Sequence, residues 1–134
     1  MKLRTLSIFL VLMAIIYITP ACISDAEYYL GGTVHDAAKN PIPGARVQVN
    51  FYCASGSEPT EAKLEEDIDH DVTTDSSGSY FINHNNTEVI IPPGNSCFED
   101  KVYIIVTKSG YQKKTLKVDF NGAYSARANI QLDP

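Results

Sequence analysis

Residues 73–82, with the sequence TTDSSGSYFI, constrain the fold of this chain more than any other stretch. Asp75 and Gly78 are typical turn residues, because an aspartate side chain bonds the local backbone and glycine permits a positive φ. Beyond the turn, Tyr80 and Ile82 fall on one face of an extended segment, since side chains alternate along a strand. The stretch therefore predicts two strands joined as a hairpin.

Further short segments with the character of strands follow one another along the chain. Residues 45–53 alternate cleanly, so that one face should be core and the other should meet water. Residues 101–109 are the most apolar segment after the N-terminus and should form a central strand. Other strands are expected at 28–36, 88–91, 113–120 and 125–132. Because no segment has a convincing helical period, the pattern predicts an all-β fold, a single antiparallel β-sandwich of seven or eight strands.

The N-terminal residues have the character of an export signal. Lys2 and Arg4 precede an apolar run over residues 6–18, and a helix breaker and the small residue Ala21 follow. This arrangement predicts a signal peptide at 1–21. This run of 13 residues is short for a bilayer span of about 20 residues. An uncleaved anchor remains as an alternative, and in both cases the domain lies outside the cytoplasm.

Cys22 directly follows Ala21, and this position resembles the lipobox of bacterial lipoproteins, in which the cysteine sulfur carries a diacylglycerol. Thr19 and Pro20 depart from that motif. The resemblance implies lipidation of Cys22, a short tether at 22–27 and a membrane-anchored protein of the cell envelope. The alternative is ordinary cleavage after Ala21 or Ala26, which would give a periplasmic or secreted protein.

Two further cysteines are expected to pair with each other. Cys53 and Cys97 lie in the exported part of the chain, where the compartment is oxidising, and Cys22 is then the odd one out. A Cys53–Cys97 disulfide would close a loop of 45 residues. It would stabilise the fold by about 3 to 4 kcal/mol.

The charge of the chain argues against one class of partner. The formal net charge is −5, and without Lys2 and Arg4 it becomes −7, from 9 basic and 16 acidic residues. An acidic domain repels phosphate backbones. We therefore expect no nucleic-acid partner.

The acidic segment at 58–71 contains seven carboxylates and is the least typical part of the chain. Such a density can bind Ca²⁺, which takes six to eight oxygen ligands. The spacing matches no calcium loop, however, and the segment has no glycine. A solvated loop or a single surface turn of helix is therefore the preferred interpretation.

No residue pattern predicts a catalytic, metal or cofactor site. His35, His70 and His84 share no spacing typical of metal ligands, and we expect them at the surface or at strand edges. The serine clusters lack the Gly-x-Ser-x-Gly frame of a hydrolase nucleophile.

Several motif blocks, in a fixed order, resemble a known family. The blocks are Gly32-Thr33-Val34 with Asp36, Pro41-Ile42-Pro43-Gly44-Ala45, Thr74-Asp75 with Gly78 and Tyr80, Gly110-Tyr111, and Asn129-Ile130 with Leu132. They are similar in order and spacing to the carboxypeptidase regulatory-like domain. The resemblance implies a transthyretin-like (prealbumin-like) or Ig-like β-sandwich over residues 28–134.

The resemblance also implies a function, because modules of this family have no catalytic residues of their own. We expect a noncatalytic cell-envelope module that is not an enzyme, needs no cofactor, and holds a protein or glycan partner through its loops or a sheet edge. Membrane contact would come from the lipid on Cys22. The first alternative is a carrier of a small ligand or Ca²⁺ through residues 58–71, and the second is an enzyme.

Overall fold

The computed structural model of the protein describes residues 22–52, 57–90 and 101–134. These residues form eight strands and one short helix. In chain order they are β1 (Cys22–His35), β2 (Arg46–Tyr52), α1 (Glu61–Glu66), β3 (His70–Thr73), β4 (Ser79–Ile90), β5 (Lys101–Thr107), β6 (Lys114–Asp119), β7 (Ser125–Arg127) and β8 (Ile130–Gln131). In these ranges no helix is long and apolar enough to cross a membrane. The signal segment at 1–21, Cys53 and Cys97 lie outside the described residues.

The strands form two sheets of four strands each. One sheet has the order β4-β1-β7, with β8 also paired to β1, and the other has the order β3-β2-β5-β6. The prediction of an all-β protein is confirmed. The apolar segment at 101–109 contains β5, an interior strand of its sheet, as its composition predicted.

Not every strand pair is antiparallel, so this part of the prediction was wrong. Strand β1 pairs with β4 antiparallel from Cys22 to Thr33, but it pairs with β7 and β8 in parallel. Parallel neighbours need a long connection. Here that connection includes the entire second sheet, a relationship that alternation within single strands does not reveal.

One apolar core lies between the two sheets. It receives buried side chains from β1 and β4 on one side and from β2 and β5 on the other. The fully buried members are Leu30, Val34, Ala45, Val47, Val49, Val102, Ile104, Val106 and Leu132. Branched side chains predominate because they pack well on a pleated, half-buried surface.

The turn at 74–78 joins the two sheets and does not close a hairpin, contrary to the sequence-based prediction. Strand β3 belongs to one sheet and β4 to the other. The predicted turn chemistry is confirmed, because Asp75 Oδ1 accepts from the backbone N–H of Ser77 at 2.8 Å and of Ser79 at 2.9 Å. Gly78 has a φ of +71°. Turn residues identify a reversal of the chain without specifying which strand the next segment pairs with.

The outer face of β2 is covered by α1, although alternation predicted that it meets water. Asn50 is fully buried, and its side-chain amide donates to the carbonyl oxygen of Leu64 at 2.6 Å. Leu64 packs with Tyr103 and Ile105 in a second, smaller apolar cluster. A buried leucine on a short acidic helix gives too weak a sequence pattern to predict this layer.

Strand β1 begins at Cys22, where a tether was predicted. Its first residues pair with the last residues of β4, from Cys22 opposite Ile90 to Glu27 opposite Asn85. The backbone of this segment is therefore part of the sheet.

Candidate metal centre

The acidic segment at 58–71 forms the helix α1 and its flanks, as the preferred interpretation predicted. Its carboxylates are engaged by basic side chains. Lys113 Nζ lies 2.7 Å from Glu61 and 2.6 Å from Glu65, and Lys117 Nζ lies 2.5 Å from Glu58. These lysines lower the pKa of Glu58 and of Glu61.

The remaining carboxylates of this segment are mostly engaged as well. Asp67 binds Lys63 at 2.6 Å, Asp71 binds Arg46, and Asp69 accepts from the backbone N–H of Phe51. In the described residues no group of three or more histidine, cysteine or acidic side chains is placed to hold a metal ion. The alternative of a Ca²⁺ carrier therefore has no support in the geometry of residues 58–71.

Two histidines that are 14 positions apart meet where the edges of the two sheets come together. His70 begins β3, the edge strand of one sheet, and His84 lies in β4, the edge strand of the other. His70 Nε2 lies 2.9 Å from His84 Nδ1. Contact across two sheets leaves no regular spacing in the sequence, so no ligand motif marked this pair. His35 is bonded elsewhere, to the backbone oxygen of Asp36.

Aromatic rings surround the histidine pair. The Phe51 ring lies parallel to the His84 ring, with centroids 3.9 Å apart and an interplanar angle of 6°, and it meets His70 edge-on. Tyr28 lies tilted against both Phe51 and His84. These contacts fix the orientation of the imidazoles and remove much of the water around them.

Burial in this cluster lowers the pKa of His70, and the nearby charge of His84 acts in the same direction. The neutral imidazole is therefore favoured at neutral pH. A neutral ring nitrogen carries the lone pair that a metal ion requires.

The aromatic side chains of Tyr52, Phe81 and Tyr103 do not lie on one face. Tyr52 and Tyr103 meet edge to face at 5.6 Å beside α1, on the sheet that contains β2 and β5. Phe81 lies on the outer face of the other sheet and is 63% exposed. The proposed lipidation and disulfide residues remain predictions, since Cys53 and Cys97 are not described and Cys22 is described only by its backbone.

Comparison with known proteins gives structural neighbours alone, since no protein-family model and no curated protein matches the chain. Chlorocatechol 1,2-dioxygenase from Pseudomonas putida is similar at a TM-score of 0.55 and 14% identity, over 88% of this chain and 63% of that chain. 3-Chlorocatechol 1,2-dioxygenase from Rhodococcus opacus 1CP is similar at a TM-score of 0.53 and 13% identity, over 82% of this chain and 61% of that chain. Catechol 1,2-dioxygenase from Acinetobacter radioresistens has a TM-score of 0.51 and 18% identity, over 80% of this chain and 52% of that chain.

These comparisons overturn the family assignment made from the sequence. The neighbours are intradiol ring-cleaving dioxygenases and not carboxypeptidase regulatory-like domains. The motif blocks mark turns and strand ends, and unrelated β-sandwiches share such residues for the same conformational reasons. The chain spans between 52% and 63% of the length of these neighbours, and identities this low show a shared fold alone.

The same finding contradicts the predicted noncatalytic binding module that is not an enzyme, because the structural neighbours named above are enzymes. The prediction rested on the resemblance to carboxypeptidase regulatory-like domains, and it has no support once that resemblance is corrected. The function of this chain must be argued from its own side chains.

Proposed function

We propose that the chain is a small enzyme built on the dioxygenase-like fold and that His70 and His84 hold its metal ion. The observation that carries the proposal is the hydrogen bond of 2.9 Å between His70 Nε2 and His84 Nδ1, which brings two imidazole nitrogens together. An ion held by both rings would take the place of the proton that they share. His70 and His84 would then be the residues that hold it.

The chemistry of the donors indicates the class of metal. Imidazole nitrogens suit zinc, copper, iron and nickel, whereas Ca²⁺ and Mg²⁺ prefer oxygen. His70 and His84 would hold such an ion, which would act as a Lewis acid on an oxygen of the substrate or of water.

The surrounding residues support this role. Phe51 and Tyr28 hold the imidazoles in place by packing, and burial keeps His70 neutral. Both histidines are only partly buried, so a substrate can approach from solvent.

We propose hydroxylated aromatic rings as the substrate class. The structural neighbours act on catechol and chlorocatechol, as their names state. Aromatic side chains beside the histidines offer ring faces against which such a substrate stacks.

The test uses the purified protein, Zn²⁺ and Cu²⁺ added separately, and calorimetry. We expect one equivalent to bind, with at least a tenfold loss of affinity in His70→Ala and in His84→Ala. His35→Ala is the matched control, because His35 bonds a backbone oxygen away from the pair. Equal affinity in all four proteins would overturn the metal site.

Activity is measured as oxygen uptake with catechol, using protein loaded with iron, copper or zinc. Uptake that is lost in His70→Ala and kept in His35→Ala supports the proposal. Metal binding without uptake in any loaded form would overturn the enzymatic role while leaving the metal site intact.

We further propose that the two sheets form a single sandwich of seven or eight strands, which their shared core supports.

We also propose that Cys53 and Cys97 form a disulfide, which the number of cysteines supports. The residues around Ala21 support the proposal that the protein is exported and anchored through a lipid on Cys22. Label from palmitate that is equal in wild type and Cys22→Ser would refute the anchor.

A further inference from the structure

The outer face of the β4-β1-β7 sheet carries a groove where a residue without a side chain lies between an aromatic ring and an arginine. Gly31 in β1 is paired with Phe81 in β4 on one side and with Arg127 in β7 on the other. Side chains of paired residues project to the same face of a sheet. Gly31 therefore forms a floor, and Phe81 and Arg127 form the two walls.

The aromatic wall is extensive and exposed. The rings of Tyr29 and Phe81 stack with centroids 6.1 Å apart at 27°, and Phe81 is 63% exposed. Tyr29 donates from its hydroxyl to Glu27, which holds its ring in place. Contiguous exposed apolar surface is often a site of ligand or partner binding, whereas single exposed apolar residues are common.

The opposite wall carries the positive charge. Arg127 is exposed, and within the described ranges it forms no salt bridge, in contrast to Arg46, which binds Asp71. In a chain with a net charge of −5 an arginine without a carboxylate partner is a marked feature. Glu27 lies four residues from Gly31 along β1, so their backbones are about 13 Å apart. Its carboxylate accepts from the Tyr29 hydroxyl.

The dimensions suit a small ligand. The groove has a volume of about 360 Å³, and Ser79 and Ser125 add hydroxyl groups to its lining. Adjacent strands are about 4.8 Å apart, so the backbones of Phe81 and Arg127 are separated by about 10 Å, the room that one six-membered ring with a substituent needs.

We propose that this groove binds an aromatic carboxylate, with the ring over Gly31 against Phe81 and the carboxylate paired with Arg127. Arginine presents a planar fork that matches a carboxylate, and a flat ring stacks on an exposed aromatic face. The site lies on the opposite side of β1 from Tyr28 and the histidine pair. It is therefore independent of the metal centre.

Nuclear magnetic resonance titration with benzoate tests the proposal, with the amides of Gly31 and Arg127 as reporters. We expect millimolar binding, a loss of about tenfold in Arg127→Gln, and a loss of about fivefold in Phe81→Leu, which keeps an apolar side chain but removes the ring. Arg46→Gln, which removes the same charge from the other sheet, should leave the affinity unchanged.

Two further ligands and one further variant make the result decisive. Benzyl alcohol, which lacks the charge, and glucuronate, which lacks the aromatic ring, should both bind at least fivefold more weakly than benzoate. Gly31→Leu should abolish binding by filling the floor of the groove. Equal binding of benzoate and benzyl alcohol, tighter binding of glucuronate, or an equal loss in Arg46→Gln would overturn the proposal.

Discussion

The side-chain amide of Asn50 donates a hydrogen bond of 2.6 Å to the carbonyl oxygen of Leu64, and so joins the outer face of β2 to α1. Asn50 is fully buried and Leu64 is 4% exposed. A single polar contact thus helps to hold the helical cover on the sheet.

We expect Asn50→Asp to destabilise the protein more than Asn50→Ala. Alanine removes the hydrogen bond and leaves the oxygen of Leu64 without this donor, at a cost of about 1 to 3 kcal/mol. Aspartate has nearly the same shape, but its carboxylate cannot donate and is costly to bury. Urea denaturation at neutral pH measures the free energy of unfolding of both variants. As a control, replacement of the exposed Glu66 by alanine should change the free energy of unfolding by no more than about 0.5 kcal/mol. Equal stability of Asn50→Ala and wild type would contradict the role of this contact.

Two adjacent glycines in β1 should respond very differently to alanine. A Cβ at Gly32 would lie 1.8 Å from the backbone oxygen of Ala128, so the segment between β7 and β8 would have to move. A Cβ at Gly31 would meet its nearest neighbour at 3.4 Å, which is an ordinary contact. We expect Gly32→Ala to cost about 4 kcal/mol or more and Gly31→Ala about 1 kcal/mol or less. Thermal denaturation measures the difference, and similar melting temperatures would refute it.

Replacement of Asp75 should weaken the connection between the two sheets. Its carboxylate accepts from two backbone N–H groups and from the hydroxyl of Ser77, and these bonds lower its pKa. We expect Asp75→Ala to cost about 1 to 2 kcal/mol, and Asp75→Asn to cost less because its amide oxygen still accepts. In chemical denaturation the wild type should be the most stable, Asp75→Asn intermediate, and Asp75→Ala the least stable. Equal destabilisation by Asp75→Asn and Asp75→Ala would show that the charge, and not the acceptor, matters.

The stability of the protein should fall as the pH decreases from about 7 to 5. Burial lowers the pKa of His70 in the folded state below the value of about 6.5 of an unfolded chain. Between the two values the unfolded state binds more protons, so acid favours unfolding and stability rises with pH. The lowered pKa values of Asp71 and Asp75 act only in more acidic solution.

Melting temperatures recorded over this pH range check the expectation. His70→Gln should flatten the dependence, whereas His35→Gln should keep it. An unchanged slope in His70→Gln would assign the titration to another group.

Local chemistry allowed most of the strands to be predicted, but not their partners. Residue alternation and turn propensity predict the turn at 74–78, the inward faces of β2 and β4, and the central position of β5. Assignment of β3 and β4 to different sheets depends on contacts between residues that are far apart in the sequence. One example is Thr74, whose hydroxyl bonds the backbone of Ile42 and Ala45.

The candidate metal centre could not have been found from spacing. His70 and His84 meet because the edge strands of two sheets come together, and neither strand shows a ligand motif of its own. The groove around Gly31 was equally hidden, since its arginine is 96 positions away in the sequence. The parallel pairing of β1 with β7 was needed to place them side by side.

That pairing has a consequence for the order of folding. Strand β1 is made first, yet β7 and β8, which lie beside it, are among the last residues of the chain. Contacts between distant parts of a sequence slow folding, because loop closure must precede them. A growing chain lacks these strands, so the groove and the complete sheet can form only after residues 125–131 have been made.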